Sequence, residues 1–231
     1  YTRTTTPVVL LKVSYGEFSG YGEASLPQYL GETQESVCKF LRKIKLDSFS
    51  DPLKLNEIRD YIGNLDTDNM AAKACFDIAL HDLTGKIQEK SWYSIWNLDK
   101  ENTPYTTYTI GIDSDDVVRK KTEEVAADFK ILKVKLGSEN DKKLIKVIRS
   151  VTDLPISVDA NQGWKDRGEA LDMICWLAEE GCVMIEQPMN KSDLDGNAWL
   201  TDNSPLPIFA DESFQRLTDV LLLTYAFTGV N

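Results

Sequence analysis

Five ionisable residues fall at or near the C-terminal ends of β-rich runs in the second half of the chain: Lys133 and Lys135, then Asp159, Glu186 and Asp211. Asp159 follows Lys133 by 26 residues, Glu186 follows Asp159 by 27, and Asp211 follows Glu186 by 25. One strand and one helix fit in each interval. In a closed barrel of alternating strands and helices, the C-terminal strand ends form a ring, and catalytic groups at that face come from several different strands. The spacing therefore predicts that the three carboxylates converge. Acids gathered at one mouth repel one another and hold raised pKa values unless a cation sits between them, and hard oxygen ligands select magnesium or a similar ion. One magnesium ion per subunit, held by Asp159, Glu186 and Asp211, is the expected cofactor.

Lys133 and Lys135 are two positions apart on one strand, so both side chains point to the same side. Beside a divalent cation, and partly out of water, a lysine loses part of its preference for the ammonium form and moves toward service as a base. Metal plus lysine suits removal of a proton next to a carboxylate, where the charge of an enediolate has to be stabilised. Any one of the acids alone would more often be a helix cap or loop residue, and only the three at one βα period point to a site. Lys133-Val134-Lys135 alone reads as the solvated face of an edge strand, but a strand flanked by helices has both faces covered, leaving a barrel interior for the charges.

The elements that must position these residues follow from periodicity. Residues 1–25 alternate as strands, with Val9, Leu11 and Val13 in register and Gly16 and Gly20 to Gly22 as turn residues. Helical patterns cover 34–44, with Val37, Phe40, Leu41 and Ile44 on one face, and 70–87, which carries Ala74, Ile78 and Leu83. Residues 1–104 are thus expected to form an α+β first domain. From 105 to 231 the style becomes a βα series, with β runs at 108–112, 131–136, 155–158, 183–185 and 207–210. A helix between them over 168–180 ends at Gly181, a residue suited to a left-handed cap. The fold class is α/β, a TIM-type barrel.

Composition narrows the partners. The chain has 26 Lys plus Arg against 37 Asp plus Glu, a net charge of −11 that repels nucleic-acid backbones and anionic membranes. No segment is apolar enough to span a membrane, no signal peptide opens the sequence, and a cytoplasmic location is expected. Cys38, Cys75, Cys175 and Cys182 lack metal or redox spacing and read as reduced thiols in helix-like, apolar surroundings. His81, the single histidine, reads as a structural hydrogen-bonding residue. Trp164 follows the Asp159 strand and is a candidate to line the site.

The strings LKVKLG at 132–137, DANQGW at 159–164, EQP at 186–188 and ADES at 210–213 together resemble the enolase superfamily, muconate-lactonizing subgroup, and most of all its dipeptide epimerases. GEA at 22–24 and ALHDLTGK at 79–86 are similar to capping-domain and linking-helix segments of the same enzymes. The resemblance implies a (β/α)7β modified barrel behind a capping domain, and inversion of the α-carbon in a dipeptide such as L-Ala-D/L-Glu. It implies Lys135 as base on one face, with Lys133 contacting the substrate carboxylate. It also implies substrate contacts from Thr109, from Arg3 and from the loop at 28–33. A small dipeptide is the expected partner, with a homo-oligomer common among such enzymes.

Two-base epimerisation in the family uses a second lysine from the sixth barrel strand, where this sequence reads Gly229-Val230-Asn231. The resemblance therefore places the opposing base and the acids for the dipeptide's ammonium group beyond Asn231, and implies an incomplete barrel here. An o-succinylbenzoate synthase or muconate cycloisomerase shares the paired lysines and is the near alternative. A metal-free, non-catalytic barrel is the distant one.

Overall fold

The computed structural model describes residues 5–27 and 31–231. The chain divides into two compact units, Tyr1–Thr103 and Pro104–Asn231.

In the first unit, β1 (Val8–Tyr15) and β2 (Phe18–Ser25) pair antiparallel in continuous register from Val8 opposite Ser25 to Tyr15 opposite Phe18. Gly16, at φ +56°, provides the left-handed backbone for the two-residue loop. Gly20 and Gly22 are not turn residues as the sequence suggests; both lie inside β2. Their lack of a side chain serves close packing, because a Cβ on either would collide with backbone of the long helix at Ala79 or Cys75.

Three helices cover the hairpin: α1 (Gln34–Leu41), α2 (Leu55–Gly63) and α3 (Met70–Ile87), followed by a short α4 (Trp92–Ile95). The first stops three residues before the predicted Ile44, since Lys43 and Ile44 donate to carbonyls three residues back and tighten the last turn. On α3 the buried face is Ala72, Cys75, Phe76, Ala79, Leu80 and Leu83. Leu83 belongs to it as expected, but Ala74 and Ile78 are exposed, Ile78 at 51%. The close approach of β2 selects the stripe of small residues instead. His81 sits among Trp92 and Trp96 with ring centroids at 4.4 and 6.3 Å, and the Trp92 indole N–H donates to the His81 carbonyl at 2.9 Å. These contacts make it a packed structural residue.

The second unit alternates β3 (Thr107–Ile110), α5 (Asp115–Val125), β4 (Ile131–Lys135), α6 (Asp141–Arg149), β5 (Ile156–Asp159), α7 (Arg167–Glu179), β6 (Cys182–Glu186), α8 (Leu194–Asn203), β7 (Ile208–Ala210), α9 (Val220–Leu223) and β8 (Gly229–Val230). The strands pair in sequence order and all parallel, each joined to the next by a helical connection. Leu132 and Val134 of β4 are fully buried with Ile156, Val158, Ile185 and Ile208 in the same core cluster. The helices add Ile145, Ile148, Ile174 and Leu177, each removed from water and each contributing about 1.5–3 kcal/mol of hydrophobic stabilisation.

The ends of the helices follow elementary chemistry. Asp166 caps α7 by accepting from Gly168 and Glu169 N–H, and Asp193 caps α8 by accepting from Gly196 N–H. Gly181 at φ +78° closes the far end of α7. Cys182 opens strand β6 and Cys175 is exposed, so these two depart from the expected apolar helical setting; all four thiols are free. Among the described residues no helix is long and apolar enough to cross a membrane.

Candidate metal centre

Strand register brings the acids together. Lys135 lies opposite Asp159, Asp159 opposite Glu186, and Glu186 opposite Phe209, two residues before Asp211. One carboxylate oxygen from each of Asp159, Glu186 and Asp211 lies within 4.8 Å of the others. Asp159 and Glu186 are 1% and 2% exposed, and Asp211 is half-buried. Both predicted lysines reach this cluster. Lys133 Nζ lies 2.6 Å from Glu186 Oε2 and 3.2 Å from Asp159 Oδ2, while Lys135 Nζ lies 3.0 Å from Asp159 Oδ2 and 2.8 Å from Asn161 Oδ1.

The two lysines differ in surroundings. Lys133 has a side chain only 18% exposed and is fixed between two carboxylates, whereas the Lys135 side chain is 43% exposed. Burial pushes the Lys133 ammonium down, but Glu186 and Asp159 outweigh it and hold Lys133 above the ordinary lysine value. In the metal-free site the Lys133 charge balances two buried acids. Burial raises Glu186, and repulsion from Asp159 adds to it despite the Lys133 ion pair. Burial also raises Asp211, reinforced by Glu212 and Asp159.

Three hard oxygen donors on rigid strand ends, with carboxyls raised by burial and by one another, fit a divalent cation of the magnesium type, which commonly takes one or two carboxylates, with waters completing its octahedron. The neighbours orient the donors. Asn161 N–H donates to Asp159 Oδ1 at 3.0 Å, and Asn231 Nδ2 donates to Glu186 Oε1 at 2.8 Å, leaving Oε2 of Glu186 toward the lysine. Asn161 also links Lys135 to Glu212 through its amide, at 2.8 and 3.4 Å.

Asn161, Gln187 and Asn231 carry no role in the sequence reading. A neutral amide has no charge pattern to reveal it, although the first two lie inside the DANQGW and EQP strings. Positive backbone φ angles at Asn161 (44°), Gln162 (63°) and Gln187 (38°) mark the same loops as constrained. Gly137, at φ +105°, packs on the Asp159 loop so closely that a Cβ there would sit 2.8 Å from the Ala160 carbonyl oxygen.

Thr109 pairs in register with Lys133 on the adjacent strand and is exposed. Trp164 packs on the core of this unit and donates its backbone N–H to the Pro188 carbonyl at 3.2 Å. Arg3 and residues 28–30 of the predicted substrate loop lie outside the described residues.

Residues 116–226 match the family model described as enolase C-terminal domain-like. The chain is 63% identical over all of its 231 residues to an L-Ala-D/L-Glu epimerase of Bacteroides thetaiotaomicron, and covers 60% of that protein. It is 34% identical to an L-Ala-D/L-amino acid epimerase of Pedosphaera parvula, over 92% of this chain and 62% of the relative. The structure is similar to a dipeptide epimerase of Enterococcus faecalis complexed with Mg and L-Leu-L-Tyr, at a TM-score of 0.85 and 29% identity, over 97% of this chain and 66% of that one. The chain thus spans about three fifths of the length of these two sequence relatives.

Proposed function

We propose that this chain, which is similar to enzymes of the enolase superfamily, serves magnesium-dependent epimerisation of a dipeptide, L-Ala-D/L-Glu or a close relative, by abstraction of the proton α to a carboxylate. The observation that carries this reading is the meeting of three carboxylates within 4.8 Å with both lysines bonded to them. A 63% identical L-Ala-D/L-Glu epimerase supports the choice of substrate.

Asp159, Glu186 and Asp211 would hold the ion. When bound, magnesium supplies positive charge to the substrate carboxylate as negative charge builds there. Lys133, at the junction of Asp159 and Glu186, pairs with the same carboxylate and orients it. Thr109, beside Lys133 in register, adds a substrate contact. Lys135 is the base: Asp159 and Asn161 hold its ammonium nitrogen in place, and its greater exposure leaves room for the α-carbon to approach. As the free amine, Lys135 takes the proton at Nζ on one face of the substrate. The four free thiols suit a reducing compartment, and we place the activity in the cytoplasm.

The test is interconversion of L-Ala-D-Glu and L-Ala-L-Glu by the intact protein, followed by chiral chromatography with magnesium and again after chelation. Both isomers should converge on one mixture only with the metal present. Elimination or cycloisomerisation of an unrelated acid, with dipeptides untouched, would favour the other paired-lysine enzymes instead.

A further inference from the structure

Gln187, directly after Glu186, is completely buried, yet its side chain is polar and its backbone sits at φ +38°. Non-glycine residues hold such a conformation only where the surroundings over-determine it. Its amide has four partners. Oε1 accepts from the backbone N–H of Asp211 and of Ser213, both at 3.0 Å, while Nε2 donates to Ser213 Oγ at 2.8 Å and to the Met189 carbonyl at 3.1 Å. The backbone adds two more links: Gln187 N–H donates to the Phe209 carbonyl, and the Gln187 carbonyl accepts from Gln162 N–H, each at 2.8 Å. One residue therefore ties the loops just after Asp159 and Glu186 to the segment after β7 that carries Asp211.

An apolar side chain would fill the same space, and glycine would ease the backbone. Neither would hold the amides of Asp211 and Ser213. We propose that Gln187 is a positioning residue of the metal centre, fixing the Asp211 carboxylate relative to Glu186 by gripping the Asp211 loop from the position next to Glu186. This inference rests on the magnesium reading above. Partners that orient metal ligands are typically worth about 10–100-fold in metal affinity, and Gln187 reaches two of the three ligands through a single side chain and its own peptide.

The test measures magnesium binding calorimetrically in the intact wild-type protein, in Gln187→Met, which keeps the volume and removes all four side-chain bonds, and in Gln187→Asn, one methylene too short to span them. The Asn variant keeps the experiment decisive should the Met variant not fold. Arg149→Met is the control for general weakening: Arg149 binds the carbonyls of Thr152, Leu154 and Glu180 at the opposite ends of the strands. The Gln187 variants should bind magnesium about 10–100-fold more weakly, and Arg149→Met should bind like wild type while melting earlier. Gln187 variants that bind within about twofold of wild type, or an equal loss in Arg149→Met, would overturn the positioning role. Wild-type protein that binds no magnesium would instead overturn the metal reading itself.

Discussion

Lys133 and Lys135 share a strand, a residue type and a face, and their environments still separate them. Lys133 is fixed by two buried carboxylates, while Lys135 touches one carboxylate and one amide and is more than twice as exposed. A general base contributes about 10²–10⁴ in rate, so Lys135→Ala should lower kcat by that factor with magnesium binding retained, and steady-state kinetics beside calorimetry separates the two. The acids make a second expectation. Glu186 and Asp211 are held above the usual carboxylate range by burial and by their neighbours. A carboxyl raised in the folded state favours folding where it is protonated, and that advantage is lost as pH rises through the folded value. Magnesium needs both groups ionised, so its stabilisation should be greater near about pH 8 than near about pH 5. Thermal melts at fixed magnesium across that range check it, and a gain in melting temperature independent of pH would contradict it. The charged members of the site were legible because ionisable residues recur at one βα period. Asn161 and Gln187 were not, since an amide acquires its meaning only from the atoms it meets after folding.

At the scale of elements, parallel strands were readable as short apolar runs because helices cover them, and Gly181 was readable as a helix stop. Glycine inside β2 was misread for a physical reason: the residue signals a turn and a close contact with the same letter. Gly22 packs so tightly on α3 that a methyl group would overlap the Cys75 carbonyl. Gly22→Ala should therefore destabilise the first unit by about 1–3 kcal/mol or more, seen as an earlier transition in urea; an unchanged midpoint would mean the helix yields freely. The same contact explains why the buried stripe of α3 runs through Cys75, Ala79 and Leu83 rather than through Ile78.

At the scale of the molecule, a net charge of −11 coexists with a centre designed around cations. Lysines and the proposed magnesium concentrate positive charge at the mouth of the second unit, where a substrate carboxylate would otherwise be repelled. Leu217, Leu221 and Leu222 of the same unit are 84%, 82% and 64% exposed, an apolar stretch of surface. The central claim is that this mouth removes an α-proton from a dipeptide. Its most direct measurement is proton NMR of L-Ala-L-Glu in heavy water with magnesium and the intact protein. The α-proton of the glutamate residue should exchange for deuterium as the isomers interconvert, and Lys135→Ala should slow that interconversion by about 10²–10⁴-fold. An α-proton signal that persists across a panel of dipeptides, while magnesium is demonstrably bound, would contradict the account.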